Sequence, residues 1–392
     1  MTSFGTHLLP YGSFSVGDGP RRVGVAVENG VLDLTAAAPR LVPRHAHLFA
    51  GGELDAFLAA GRPVWDDVRA ALLERAPFAE LVPLADVALH LPFAVADYVD
   101  FYASEHHATN VGRLFRPDGD PLPAAWKHLP IGYHGRAGTV VVSGTPVRRP
   151  RGLRRTDGEV VFGPSQRLDL EAEIGFVVGV STPLGSSVPV SAFADHVLGV
   201  CVVNDWSARD VQAFETVPLG PFLGKSFATS VSPWIVPLAA LEHVRVAAPE
   251  RDVVVAGYLD DTDYPWGLDV ALEVLVNGQH VSHPEFRSMY WTGAQQLAHL
   301  TVNGASLRTG DLFASGTVSS GAAPADLGCL LEMTRNGTEP IELADGSART
   351  WLLDGDEVTV RATTSAPDGT CVLLGEVHGT VLPATSSPTS MG

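Results

Sequence analysis

Residues 168–176 read Leu-Asp-Leu-Glu-Ala-Glu-Ile-Gly-Phe, and this alternation of apolar and acidic side chains is typical of a β-strand. Glu171 and Glu173 are two positions apart, so on a strand they project from the same face. Two neighbouring carboxylates repel each other unless water solvates that face or a cation lies between them. The segment therefore predicts either an exposed polar strand face or one side of a cation site.

Strand-like apolar runs continue from about residue 91 to residue 385, and few long helices interrupt them. The runs are residues 140–142, 173–180, 197–203, 253–259 and 272–276, and the clearest helix is predicted over residues 289–301. This pattern is not the regular strand–helix alternation of a doubly wound fold. It predicts a mostly β protein with some α-helix.

Residues 1–90 are predicted to form a smaller N-terminal unit. A short strand over residues 23–27 leads into the hairpin signal Glu28-Asn29-Gly30, and helical spacing follows over residues 54–60 and 64–75. Prolines then punctuate the chain, which places a boundary near Leu91. We therefore predict domains over residues 1–90 and 91–385. The tail 386–392, rich in Ser, Thr and Pro, is predicted to be disordered.

Composition excludes several classes of partner. The 392 residues carry a net charge of −18, which disfavours binding to nucleic acid. The three cysteines are far apart and form no CxxC pair, which suits a reducing compartment. The chain start shows no signal-peptide pattern, and no apolar run is long enough to span a bilayer. We predict a cytoplasmic protein without a membrane partner.

Nucleotide and esterase motifs are absent or incomplete. The segment Gly220-Pro221-Phe222-Leu223-Gly224-Lys225-Ser226 is one residue short of a phosphate-binding loop, and Pro221 lacks an amide to donate to phosphate. GxGxxG and GxSxG do not occur.

Two further acids lie in apolar surroundings. Asp205 ends an apolar strand, and Asp100 lies within the aromatic-rich run 98–102. A buried acid is costly unless it is paired or bound to a metal. Oxygen ligands without cysteine favour Mg²⁺ or Ca²⁺ over zinc. Four acids could hold one divalent ion, although spacing alone leaves open whether they converge.

These segments carry a family likeness. The chain from about residue 97 to 383 resembles the fumarylacetoacetase family through an ordered set of blocks. They are Asp100-Phe101-Tyr102, His107-Ala108-Thr109-Asn110-Val111-Gly112, Leu129-Pro130-Ile131-Gly132-Tyr133-His134-Gly135-Arg136, Asn204-Asp205-Trp206-Ser207-Ala208-Arg209-Asp210, residues 218–227, Ala314-Ser315-Gly316-Thr317 and residues 352–357. The resemblance implies a small N-terminal SH3-like barrel followed by a large mixed β-sandwich roll. It also implies a homodimer that hydrolyses 4-fumarylacetoacetate to fumarate and acetoacetate, the last step of tyrosine and phenylalanine breakdown.

The resemblance also implies residue roles. The implied metal ligands are Asp100, Glu171, Glu173 and Asp205, with Lys225 and Thr229 close to the ion. His107 would activate water and Glu332 would orient it, while Arg209, Gln212 and Lys225 would stabilise an oxyanion. The implied substrate contacts are Tyr102, Arg116, Tyr133, Gln212 and Thr317. One position departs from the family pattern, because Thr216 stands where a substrate-touching tyrosine is expected.

Plainer interpretations stay open for these side chains. His107 alone fits an ordinary residue on a helix surface, Arg209 and Gln212 fit a solvated helix face, and the tyrosines fit a hydrophobic core. Two other functions also remain open. One is a hydrolase of acylpyruvates or other β-diketo acids, or an oxaloacetate decarboxylase. The other is an inactive protein that keeps the metal site.

Overall fold

The computed structural model describes residues 3–75 and 80–386. Strands dominate in it, which confirms the prediction of a mostly β protein with some helix. The N-terminal elements are β1 (Tyr11–Val16), β2 (Arg22–Val27), β3 (Gly30–Asp33), α1 (Leu34–Leu41), α2 (Asp55–Ala59), α3 (Arg62–Arg75), β4 (Val82–Pro83) and β5 (Val87–His90).

The remaining elements follow from residue 98 onward. The strands are β6 (Tyr98–Phe101), β7 (Gly132–His134), β8 (Val140–Val142), β9 (Val147–Arg148), β10 (Arg151–Thr156), β11 (Glu159–Pro164), β12 (Leu168–Asp169), β13 (Ala172–Val178), β14 (Val197–Asp205), β15 (Ser207–Ala208), β16 (Thr229–Val231), β17 (Trp234–Pro237), β18 (Arg245–Val246), β19 (Gly267–Leu268), β20 (Ala271–Val276), β21 (Gln279–Ser282), β22 (Leu312–Ala314), β23 (Ile341–Glu342), β24 (Ala348–Arg349), β25 (Glu357–Ser365) and β26 (Cys371–Leu382). The helices are α4 (Glu105–Phe115), α5 (Phe193–His196), α6 (Arg209–Glu215), α7 (Gly293–Thr301) and α8 (Leu330–Met333).

One large mixed sheet contains strands from both sides of the predicted domain boundary. Its central order is β1-β17-β14-β13-β22-β6, and β1 also pairs with β2 and β5. The N-terminal strands are therefore hydrogen-bonded to the large sheet through β1 and β17. The boundary near Leu91 and an SH3-like form for the first part stay predictions.

The centre of this sheet is buried on both faces. Every residue of β14 is buried, which explains its continuous apolar run. A second sheet with the order β21-β20-β25-β26-β9 contributes further buried apolar side chains to the same core. Phe176 on β13 stacks on Phe313 of β22 at 5.0 Å between ring centroids. This packing gives the strands that carry the candidate site a rigid support.

Two predicted elements differ from the structure. Residues 253–259 do not form a strand, and only Gly257–Leu259 form a short 3-10 helix. Within residues 3–75 and 80–386 the apolar run pairs with no strand, and Val254 is 95% exposed. The helix predicted from residue 289 begins at Gly293, because Thr292 caps it in a reciprocal hydrogen-bonded box with Gln295.

Two further expectations concern the tail and the membrane. Residues 387–392 of the predicted tail lie outside the described residues. Across residues 3–75 and 80–386, the helices are all too short or too polar to cross a bilayer.

Candidate active site and metal centre

Three acids meet at one end of the central strands. Oxygen atoms of Asp100, Glu171 and Glu173 all lie within 4.8 Å of one another, and all three residues are buried. Strand register explains the meeting, because Gly175 of β13 and Asp100 of β6 both pair with Ala314 of β22. Burial rules out the alternative of an exposed polar strand face for Glu171 and Glu173.

The fourth acid, Asp205, joins the group through shared partners. Its amide donates to the Glu171 carbonyl at 3.2 Å. Its Oδ2 accepts from Lys225 Nζ and from the Tyr133 hydroxyl, each at 2.8 Å. Its Oδ1 accepts from Thr229 Oγ1 at 2.6 Å. The structure thus brings together all the residues that the sequence predicts around a metal.

Some of the four carboxylates are paired with cationic side chains, and others have oxygens without a hydrogen-bond partner among the described residues. Lys225 Nζ binds Glu171 Oε2, and Arg209 Nη1 lies 2.8 Å from Glu171 Oε1. Burial alone would raise the pKa of Glu171, but Lys225 and Arg209 outweigh burial and hold that pKa below its usual range. Glu171 is therefore ionised and already paired.

Asp100 and Glu173 form the unpaired part. Among the described residues, no hydrogen-bond partner reaches Asp100 Oδ1 or either carboxylate oxygen of Glu173. Burial and the neighbouring carboxylates raise the pKa of both side chains well above the usual range. Unpaired buried carboxylate oxygens of this kind require a proton or a cation. The donor set is entirely oxygen, so these residues fit a divalent metal ion.

A second group lies beside the acids and is built on two helices. Helix α4 begins after Ser104, whose hydroxyl accepts from the His107 amide at 3.1 Å. His107 is 3% exposed, so it is not an ordinary surface residue. Its Nδ1 lies 2.6 Å from Glu332 Oε2 on α8. An ionised carboxylate can only accept, so Nδ1 carries a proton, and in the neutral imidazole Nε2 is then the proton acceptor.

Glu332 is held by further donors that the sequence interpretation missed. Asn110 Nδ2 donates to Oε1 at 2.9 Å, and Ser319 Oγ and Cys329 Sγ donate to Oε2 at 2.8 and 3.2 Å. Burial alone would raise the pKa of Glu332, but His107 and the hydrogen bonds from Asn110 and Ser319 lower it. His107, Cys329 and Glu332 also have metal-ligand spacing. Since each carboxylate oxygen of Glu332 already has donors, we interpret this trio as a hydrogen-bond network.

Arg209 stands between the two groups, on the first turn of α6. Its Nε donates to Asp169 Oδ2 at 2.8 Å, and its Nη1 also donates to Gln212 Oε1 at 3.3 Å. Arg209 and Gln212 therefore share a helix face, as their spacing predicts, but Arg209 is buried rather than solvated. Its Nη2 is buried, and within the described residues it has no hydrogen-bond partner.

Of the predicted substrate contacts, Tyr102 lies against His107 and Thr317 is buried, whereas Arg116 is exposed. Tyr102 packs edge-on against His107 at 5.2 Å between ring centroids, and the buried Thr317 hydroxyl lacks a partner among the described residues. Thr317 follows Gly316, whose φ of +76° and 2.1 Å approach to the Phe101 carbonyl leave no room for a Cβ. Arg116 instead is exposed at the end of α4 and donates to the carbonyls of Asp120 and Pro121.

Asp169 is a deeply buried acid that the sequence interpretation missed. It is 0% exposed and accepts from Arg209 and from three backbone amides. The available signal was its position inside the acidic stretch 168–176, two residues before Glu171.

Comparison with known proteins identifies relatives along nearly the whole chain. The profile "Fumarylacetoacetate (FAA) hydrolase C-terminal" matches residues 97–381, and "Fumarylacetoacetase N-terminal" matches residues 7–92. The fumarylacetoacetase of Bos taurus is 43% identical over 411 residues, covering 98% of this chain and 97% of the bovine protein. That of Homo sapiens is 42% identical over 409 residues, covering 98% and 97%.

A solved structure shows the same fold at lower sequence identity. The fumarylacetoacetate hydrolase of the psychrophile Exiguobacterium antarcticum matches with a TM-score of 0.59 and 18% identity, covering 96% of this chain and 99% of that one. Both profiles and the full-length relatives lead to one assignment. The chain belongs to the fumarylacetoacetate hydrolase family.

Proposed function

We propose that this protein is a fumarylacetoacetase, which hydrolyses the carbon–carbon bond of 4-fumarylacetoacetate to give fumarate and acetoacetate. The observation that carries the proposal is the buried His107–Glu332 pair beside the buried acids Asp100, Glu171, Glu173 and Asp205. Similarity to fumarylacetoacetases along nearly the whole chain supports the same substrate. In the cell the reaction would end tyrosine and phenylalanine breakdown, in the cytoplasm.

His107 is the proposed base. With Nδ1–H donating to Glu332, Nε2 can take a proton from water. The water oxygen then bonds to the carbonyl carbon of the fumaroyl group, and the bond from that carbon to the adjacent methylene carbon of the acetoacetate part breaks. The electron pair of that bond stays on the acetoacetate carbon, which accepts a proton. Burial of His107 and Glu332 keeps the imidazole in one orientation throughout.

Arg209, Gln212 and Lys225 are the proposed donors to the oxyanion that forms on the attacked carbonyl. Arg209 Nη2 supports this role most directly, since it is a buried donor left without a partner among the described residues. Its Nε and Nη1 are fixed by Asp169 and Glu171. Preorganised donors stabilise developing charge without having to reorient during the reaction.

Asp100, Glu171, Glu173 and Asp205 would hold a divalent ion, with Lys225 and Thr229 beside it. We propose Mg²⁺ or Ca²⁺, because every ligand is a hard oxygen. When bound, the ion would supply Lewis-acid stabilisation to the enolate that leaves. Glu171 and Asp205 are already hydrogen-bonded to Lys225, so they are held in place for such an ion.

Tyr102, Tyr133, Thr317, Gln212 and Arg116 are the proposed substrate contacts. Arg116 suits a terminal carboxylate through its planar fork, provided that it leaves its present carbonyl partners. At the position where a substrate-touching tyrosine is expected, the Thr216 hydroxyl donates to the Gln212 carbonyl at 2.6 Å. A bulkier acyl group could therefore be accepted, which keeps acylpyruvates and oxaloacetate as alternative substrates.

The test is loss of the diketone ultraviolet absorbance when fumarylacetoacetate meets the Mg²⁺- or Ca²⁺-loaded protein. Treatment with EDTA should abolish the loss, and either ion should restore it. Values of kcat/KM for acylpyruvates and oxaloacetate should be lower than that for fumarylacetoacetate. A folded, metal-loaded protein without turnover would reject the proposal and leave an inactive metal-binding homologue.

We also propose a homodimer. The loop between α6 and β16 exposes four large apolar side chains within residues 217–223, which are Val217, Leu219, Phe222 and Leu223. Clustered exposed apolar side chains of this kind mark contact surfaces. Light scattering after gel filtration should give twice the chain mass of 41.4 kDa. Replacing Leu219 and Phe222 with Ser should shift the mass toward the monomer.

A further inference from the structure

We infer that Asp169 is a positioning residue that holds Arg209 and the helix of Glu332 in register with each other. This inference rests on the oxyanion role proposed for Arg209 and the orienting role proposed for Glu332. Asp169 touches neither substrate nor metal in this scheme, and it acts through the two residues that do the chemistry.

Each carboxylate oxygen of Asp169 accepts two hydrogen bonds. Oδ1 accepts from the amides of Leu170 and Leu330, each at 2.8 Å. Oδ2 accepts from Arg209 Nε at 2.8 Å and from the Leu331 amide at 2.9 Å. One carboxylate, 0% exposed, therefore binds the guanidinium of α6 and the first two amides of α8.

The consequence for Arg209 follows from its donor geometry. A guanidinium has five N–H donors in a fixed plane. Asp169 holds the Nε side, while Glu171 and Gln212 hold Nη1. Only Nη2 is left without a partner among the described residues. Asp169 therefore determines which corner of the guanidinium faces the site.

The consequence for Glu332 follows from the shortness of α8. The helix spans four residues, Leu330–Met333, so it has little stability of its own. Glu332 is the residue directly after the two amides that Asp169 accepts. The same carboxylate thus anchors the turn that presents Glu332 to His107.

The test compares Asp169→Asn with Asp356→Asn. In the Asp169→Asn variant an amide NH₂ must replace one carboxylate oxygen, which leaves two donors facing each other at Arg209 or at the α8 amides. Asp356 is a matched control, because it is 3% exposed and binds Arg349 and the Leu353 amide away from the site. Asp169→Asn should lower kcat about 100-fold with KM changed less than about threefold. Asp356→Asn should lose thermal stability while kcat stays within about threefold.

A double-mutant cycle separates positioning from a general structural effect. Arg209→Lys removes the fork that Asp169 orients, so the part of the Asp169→Asn loss that acts through Arg209 should disappear in that background, and the combined loss should be less than multiplicative. Multiplicative losses would overturn the inference. Full activity of Arg209→Lys would instead reject the proposed role of Arg209. If Asp169→Asn does not fold, Asp169→Glu keeps the charge but displaces it by one methylene, and wild-type kcat in that variant would also overturn the inference.

Discussion

His107 Nδ1 and Glu332 Oε2 lie 2.6 Å apart although 225 positions separate the two residues in the chain. Both side chains are buried, with exposed fractions of 4% and 0%. Their meeting depends on the caps of two helices, since Ser104 fixes the start of α4 and Asp169 fixes the start of α8. The base and its orienting carboxylate are thus placed by backbone contacts that do not involve the imidazole.

Replacing His107 with Ala should lower kcat by about 10²–10⁴-fold, the usual contribution of general base catalysis. Metal affinity should be preserved, because the four acids do not depend on the imidazole for their positions. Absorbance assays with fumarylacetoacetate and calorimetric titration with Mg²⁺ would measure the two quantities. An active His107→Ala variant would show that another group activates water.

The Glu332 carboxylate makes folding stability depend on pH. Its pKa is lowered in the folded protein from 4.5, so its stabilising effect is complete above that value and is lost as pH falls through the folded pKa. Glu332→Gln should be less stable than wild type at pH 7 by about 2 kcal/mol, the cost of weakening a charged hydrogen bond. Urea unfolding at pH 7 and pH 4 should show that the difference in unfolding free energy between wild type and Glu332→Gln becomes smaller on acidification. A larger difference at pH 4 than at pH 7 would contradict the assignment of an ionised Glu332.

The fold class and the candidate site were predicted from the sequence on different grounds. Strand periodicity alone identified β13, β14 and β20, because apolar runs of this length leave few other solutions. Convergence of Asp100 with Glu173 depends on the strand order β13-β22-β6, which periodicity does not determine. The resemblance supplied that information, and the structure brings the same residues together.

Asp169 shows why the rest was missed. Uninterrupted alternation would place Asp169, Glu171 and Glu173 on one strand face. The structure interrupts the strand at residues 170–171, so Asp169 pairs with Ser207 of β15 and turns toward Arg209. Asn110 and Ser319 were missed for a related reason, since partners of Glu332 come from segments far apart in the chain.

Glu173→Gln should show separately how the acid cluster affects stability without metal and how it contributes to metal binding. Neither carboxylate oxygen of Glu173 has a partner among the described residues, and burial and nearby acids raise its pKa. Without metal, the neutral variant should therefore be as stable as wild type or more stable. Saturating Mg²⁺ or Ca²⁺ should stabilise wild type by about 2.7 kcal/mol at 100 times Kd and the variant much less. Thermal shift assays with and without EDTA would check both, and equal metal stabilisation would remove Glu173 from the ligand set.

Lys225 provides the clearest test of charge balance in the cluster. Its ammonium binds Glu171 and Asp205, and all three side chains are buried. Lys225→Met should destabilise the metal-free protein by about 3–5 kcal/mol, because two buried carboxylates lose their shared cation. A divalent ion should restore part of that stability, since it offers positive charge to the same acids. Lys127→Met is the matched control, because Lys127 pairs with Glu105 and Asp252 near the surface and its loss should change stability little. Equal effects of the two substitutions in urea unfolding would show that Lys225 does not stabilise the acids around it.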